Sequence, residues 1–265
     1  MRLSVSNLAW PGGEEDRARC LLSQYKFTGI ELAPTKVFPE RPYAHLIEAR
    51  ALAADLGRRG LCVPSLQSIW YGRGERLFGT EEEREALFRY TVAAMDFAVA
   101  VGAKNLVFGS PRNRRLPEDA TLAETVGVPF FVRLAREAEW RGVRLGLEAN
   151  PKIYGTNYLT HTEEVFALAE RVASLGLGVN LDLGTMLVNG ELAALLHGRG
   201  KWISHVHLSE PQLAPIVPHA LHREVAAALR EEGYAGWVSV EMKQTTLDEL
   251  ARVLSYVREV FDDRA

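Results

Sequence analysis

Short runs of β-branched and apolar residues alternate along the chain with longer stretches in which apolar positions recur every three or four residues, so the pattern predicts strands and amphipathic helices in turn. The strands are expected in RLSVSNLAW, TGIELA, LCVPSLQ, AKNLVFG, GVRLGLEAN, GLGVNLDLG, WISHVHLS and GWVSVEM. The helices are expected in EEDRARCLLSQY and AHLIEARALAADLGRRG, then over about 80–101, 122–140, 161–174, 191–196, 219–232 and 247–261. Glycines 29, 60, 102, 142, 176 and 236 stand ahead of strands, where a helix must stop and reverse. Eight units of this kind predict an α/β protein, a single (β/α)8 TIM barrel forming one domain over 1–265. A doubly wound sheet fits less well, because the loop after the first strand, AWPGGEEDR, lacks a glycine-rich dinucleotide turn.

Composition narrows the partners. With 265 residues, 47% hydrophobic and 25% charged, the chain is long enough for one substantial core. A net charge of -3 offers no general attraction for nucleic acid or an anionic membrane, so neither is an expected partner. Cys20 and Cys62 have no CxxC spacing and are expected to be reduced and structural. The opening MRLSVSNLAW lacks the apolar core of a signal peptide, and no apolar run approaches a membrane span, so a cytoplasmic location is expected.

The chemistry concentrates at strand ends. In this barrel type the site forms at the carboxyl ends of the strands. Strands five to eight end in LGLE, VNLD, HVH and VSVE, each closing on a polar residue preceded by an apolar one. Alternation turns Glu148, Asp182, His207 and Glu241 into the barrel and Leu147, Leu181, Val206 and Val240 toward the helices. Three carboxylates and an imidazole in one buried mouth would repel and raise one another's pKa values unless a cation sat among them. These four are therefore the predicted ligands of one divalent metal ion. The oxygen-rich set points to Mn2+, with Mg2+, Co2+ or Zn2+ as alternatives. His205 lies one layer deeper on the same face and is expected to support the ligands from behind.

The motifs GIEL at Glu31, LEANP, NLDLGTM, HVHLSE and VSVEMK together resemble the xylose isomerase-like TIM barrels, a family of sugar phosphate isomerases and epimerases related to AP endonucleases; the likeness spans essentially the whole chain. Tagatose and psicose epimerases of this kind hold one Mn2+-like ion with a Glu, Asp, His, Glu set, which the resemblance carries onto Glu148, Asp182, His207 and Glu241. It also implies that the two glutamates shuttle protons on opposite faces of the substrate. The chain departs from those epimerases in placing Thr185 where they carry a substrate-binding histidine, and SEPQLAP where an arginine follows the strand-seven histidine. Gln67 and Thr185 likewise stand where two zinc-binding histidines of an AP endonuclease would be expected.

The expected activity is metal-dependent isomerisation or epimerisation of a small sugar, sugar phosphate or related polyhydroxy carbonyl compound, by proton abstraction through a metal-stabilised cis-enediolate, with Glu148 and Glu241 as catalytic acid and base. Substrate contacts are expected from Gln67, Asn150, Tyr154, Lys243, Trp10 and Arg112, with Trp70 and Tyr71 as further stacking candidates and Arg114 and Arg115 as further phosphate candidates. Glu31, at the end of strand two, is expected behind the ligands with His205. A metal-dependent lyase, dehydratase or hydrolase, and a non-catalytic sugar- or partner-binding barrel, are the alternative readings, and a homo-oligomer is left open.

Overall fold

The computed structural model describes residues 1–262. In chain order these form β1 (Arg2–Ser6), α1 (Glu15–Gln24), β2 (Gly29–Glu31), α2 (Pro34–Val37), α3 (Leu46–Arg58), β3 (Ser65–Leu66), α4 (Glu81–Val101), β4 (Asn105–Phe108), α5 (Val128–Trp140), β5 (Arg144–Glu148), α6 (Thr162–Val172), β6 (Leu177–Asp182), α7 (Leu183–Asn189), β7 (Ile203–Ser209), α8 (Ala220–Glu231), β8 (Trp237–Glu241) and α9 (Leu247–Phe261). Every strand pairing is parallel, in the order β2-β1-β8-β7-β6-β5-β4-β3. Among the described residues the β2 and β3 edges meet through the isolated bridges Gly29↔Cys62 and Leu32↔Leu66 instead of a continuous ladder. The protein is a single (β/α)8 barrel, nearly closed at that seam. Pro64 explains the short third strand, since it has no N–H to give a neighbour.

The helices read as their local chemistry directs. Thr80 caps α4 in a reciprocal capping box with Glu83, and Gly102 ends the helix at φ 80°. Gly176 serves differently: a Cβ there would lie 1.9 Å from the Ala135 carbonyl oxygen, so glycine lets the chain pass against α5. Three elements depart from expectation. The stretch predicted as one helix from 122 begins as a π turn over Ala123–Gly127, and the regular α5 starts at Val128. Pro129, which cannot donate back to its own turn, sits at that junction. The helix expected at 191–196 is only a 3-10 turn over Ala193–Leu196; the real helix, α7, springs directly from β6. The short α2, opened by Pro34, was not anticipated.

Two layers of packing result. Leu147, Leu181, Val206 and Val240 are fully buried in the apolar layer that joins strands to helices. The barrel interior is polar instead: Asn105 Nδ2 donates to Ser65 Oγ at 3.0 Å, Ser239 Oγ to Glu31 Oε2 at 2.9 Å, and Gln67 to Ser6. Cys20 and Cys62 are free and exposed rather than part of either layer. Among the described residues no helix is long and apolar enough to cross a membrane.

Candidate metal centre

The four strand-end residues converge. Ligand atoms from Glu148, Asp182, His207 and Glu241 lie within 4.8 Å of one another, at the floor of a cavity of about 210 Å3 at the carboxyl end of the barrel. Each is delivered by a neighbouring parallel strand, β5 to β8, with Asp182 level with His207 and Ser209 level with Glu241 in the ladder. The convergence follows from the period of two together with the inward face shared by those strands.

His207 is the hinge of the arrangement. Its Nε2 lies 3.0 Å from Glu31 Oε2. A carboxylate can only accept, so this nitrogen carries the proton. Its Nδ1 faces the opposite way, at ion-pair distance from Glu148 Oε1 (2.9 Å) and Glu241 Oε2 (3.1 Å) but with no aligned hydrogen bond among the described residues. A buried imidazole nitrogen without a partner, aimed among carboxylates and backed by a carboxylate on its other nitrogen, fits a metal ligand. Glu31 also approaches His205 Nε2 at 3.2 Å, so both side chains lie beneath the four strand-end residues. Glu31, His205 and His207 form a second close group that shares His207 with the first.

The carboxylates are held from the side. Glu148 accepts from Asn180 Nδ2 at 2.6 Å and from Asn150 Nδ2 at 3.1 Å. Asp182 accepts from the Thr185 amide at 2.5 Å and from Ser209 Oγ at 2.6 Å, so it caps α7 while facing the cavity. Behind Asn150 stands a fully buried arginine, Arg114, whose Nη2 donates to Asn150 Oδ1 at 3.0 Å and to the Leu159 carbonyl at 3.2 Å. Burial lowers the Arg114 guanidinium to about 10 although Glu148 pulls it back.

The electrostatics record the crowding. Burial, then the charges of Glu148 and Glu241, pushes Asp182 up to about 7. Burial also raises Glu241, against the pull of His207. Burial alone would raise Glu31 too, but His207 and His205 outweigh it and hold its carboxyl well below the usual range. For His207, burial opposes the charge, yet Glu31 and Glu241 prevail and raise it well above its ordinary value. A site with this excess of negative charge is suited to a divalent cation on oxygen and imidazole donors.

The other predicted contacts divide. Gln67, Asn150 and Tyr154 line the cavity, the tyrosine with its hydroxyl accepting from the Gln212 amide at 2.8 Å. Trp10 does not: a 3-10 turn over Asn7–Ala9 folds it into the core at 2% exposure, with Lys36 donating to its carbonyl at 2.6 Å. Trp70 is also core, its Nε1 donating to Thr91 Oγ1 at 2.7 Å, whereas Tyr71 is 70% exposed. Lys243 lies past the end of β8, where alternation no longer applies, and its side chain is exposed and off the cavity wall. Arg112 lines an adjoining rim cavity rather than this one. Asn180, Ser209, Ser68 and Ser110 were not singled out from the sequence, and Thr185 only as a departure from the epimerases; Asn180 and Ser209 lie two residues from Asp182 and His207, so the same alternation points to both.

The model of the family described as xylose isomerase-like TIM barrel matches residues 21–260. Among solved structures, D-psicose 3-epimerase with D-tagatose from Clostridium cellulolyticum H10 is 16% identical, with 98% of this chain and 99% of that chain covered and a TM-score of 0.80. The 3-keto-D-glucoside 4-epimerase YcjR from E. coli, in apo form, is 16% identical over 98% and 99% at a TM-score of 0.78. The IolI protein with a binding zinc atom is 18% identical over 99% and 100% at 0.74. At these identities the likeness is one of fold. Curated proteins gave no match.

Proposed function

The chain belongs to the xylose isomerase-like TIM barrel family, and on that premise we propose that it is a divalent-metal-dependent isomerase or epimerase of a sugar or related polyhydroxy carbonyl compound. The observation that carries this reading is the meeting of Glu148, Asp182, His207 and Glu241 at the floor of a cavity, with an unpartnered imidazole nitrogen turned toward the carboxylates. Two of the structural neighbours are named as sugar or glucoside epimerases, which agrees with it.

Glu148, Asp182, Glu241 and His207 Nδ1 would hold the ion, with Mn2+ the best match to the donor set. Bound there, it would supply Lewis-acid polarisation of the substrate's carbonyl and neighbouring hydroxyl. The chain's own residues supply the rest. Glu148 and Glu241 come from β5 and β8 and flank His207 Nδ1, so either carboxylate can take a proton from a substrate carbon between them while the other returns one. Return to the same carbon from the other side gives an epimer; return to the neighbouring carbon gives an isomer. Asn180 and Asn150 fix both Glu148 oxygens, and Gln67 and Tyr154 offer polar contacts to substrate hydroxyls from the cavity wall.

The test is solvent exchange. Mn2+-loaded protein incubated with a panel of ketoses and aldoses in D2O should introduce deuterium at the carbon beside the carbonyl of its substrate. Glu148→Gln and Glu241→Gln should each lose about a hundredfold or more in turnover while still binding metal. Full turnover in both variants would remove the proton shuttle, and no exchange on the panel together with cleavage of abasic DNA would make the protein a hydrolase.

A further inference from the structure

The cavity over the carboxylates continues sideways. Ser68 and Ser110, each two residues past its strand, line both that cavity and a second one of about 560 Å3 between the loops after β3 and β4. Both serines adopt positive φ, 54° and 46°, a strained backbone that tends to be kept where its shape serves a ligand. Neither hydroxyl has a hydrogen-bond partner among the described residues, so two free hydroxyls mark the passage.

Beyond them two arginines enter the wall. Arg112 lines the second cavity and makes no hydrogen bond or ion pair among the described residues. Arg73, on the facing loop, stacks over Tyr90 at 4.6 Å and pairs with Glu75, yet its Nε is buried without a partner. Glu75 offsets the charge of Arg73, so Arg112 supplies the net positive charge. Gly72 and Gly74 flank Arg73; a Cβ on either would meet nothing within 4 Å, and their amides donate to no acceptor among the described residues. With Gly72 at φ 79°, this turn leaves two N–H groups without a protein acceptor, and N–H groups of such turns can cradle anions. An acidic floor at one end and a wall carrying two arginines at the other, joined by two hydroxyls, suit a molecule with neutral oxygens at one end and an anion at the other.

Resting on the isomerase or epimerase reading of the neighbouring cavity, we propose that this second cavity, with Arg112, Arg73 Nε and the Gly72 and Gly74 amides, is an anion subsite that takes a phosphate ester or carboxylate at the far end of the substrate. Substrates of this protein are then anionic sugar derivatives rather than free sugars. Binding of small anions to the full-length, Mn2+-loaded protein tests this without turnover. Inorganic phosphate and acetate are titrated calorimetrically into the wild type and Arg112→Gln, with thermal melting to verify that the variant is folded. Saturable binding of one or both anions is expected, weakened about tenfold or more by the loss of one charged donor. Whichever anion binds more tightly assigns the substrate as an ester or an acid. Absence of saturable binding in the wild type overturns the proposal. Equal affinity in the two proteins does so as well, placing the anion on the metal. Because the readout is anion affinity, the subsite can stand where the deuterium exchange fails, and the reverse.

Discussion

His207 has one nitrogen committed to Glu31 and the other turned toward the cavity, so a single side chain divides the barrel interior into a support layer and a ligand layer. Glu31, held anionic by the two histidines, accepts from Nε2 and so leaves Nδ1 as the nitrogen on which a cation would replace the proton. Asp182 works differently, because each of its oxygens already accepts one hydrogen bond while its charge is crowded by Glu148 and Glu241. Asp182→Asn keeps an oxygen to cap α7 and removes the charge. Metal affinity should fall about tenfold or more, while the metal-free variant melts at or above the wild-type temperature because a crowded buried charge is gone. Calorimetric Mn2+ titration beside thermal melting reads both; wild-type affinity in the variant would take Asp182 out of the ligand set.

At the scale of elements, α7 is the piece that ties fold to site, since it starts on Asp182, one of the four proposed ligands, and abuts β7. Gly184 makes this contact feasible: a Cβ there would come within 2.3 Å of Ser209 Oγ and 3.2 Å of the Ser209 backbone. Gly184→Ala should therefore destabilise the protein by about 1–3 kcal/mol and weaken metal binding, because Ser209 loses its place on Asp182. Urea unfolding with Mn2+ titration checks this, and an unchanged midpoint with unchanged affinity would show that the contact yields freely. The same helix shows where the sequence was hard to read. Leu183, Gly184, Thr185 and Met186 are all buried, so α7 has no polar stripe to betray its period. By contrast, α4 and α9 carry threonine caps and amphipathic faces, and both were legible almost to the residue. The ends of β5 to β8 were legible because an apolar residue precedes each polar one, which fixes the inward face. Trp10, Lys243 and Arg112 were not, because each lies beyond its strand, where the local turn and not the period of two sets direction.

For the whole molecule, the polar barrel interior couples stability to pH and, on the proposed reading, to a bound metal. Asp182 and Glu241 titrate higher in the folded protein than in the unfolded chain, Asp182 at about 7. The folded state then binds more protons than the unfolded state above the ordinary carboxylate value of about 4, so the metal-free protein loses stability as pH rises from there through about 7. His207 adds to this: its raised value contributes stability that is complete below about 6.5 and is lost as pH rises through the folded value. Glu31 is shifted the other way, so its contribution is present above its unfolded value and is lost only in acid, leaving it constant between about pH 5 and 8. Metal binding needs the ligands unprotonated and therefore strengthens over the same interval in which the metal-free protein weakens. The melting temperatures of Mn2+-loaded and chelator-treated protein should consequently diverge from pH 5 to pH 8. A gap of about 5–10 °C is expected at the upper end if the ion is present at a hundred times its dissociation constant. Differential scanning calorimetry at several pH values measures it. A gap that stays level or narrows with rising pH would mean that the buried carboxylates do not meet on the ion, and the ligand set drawn from β5 to β8 would have to be abandoned.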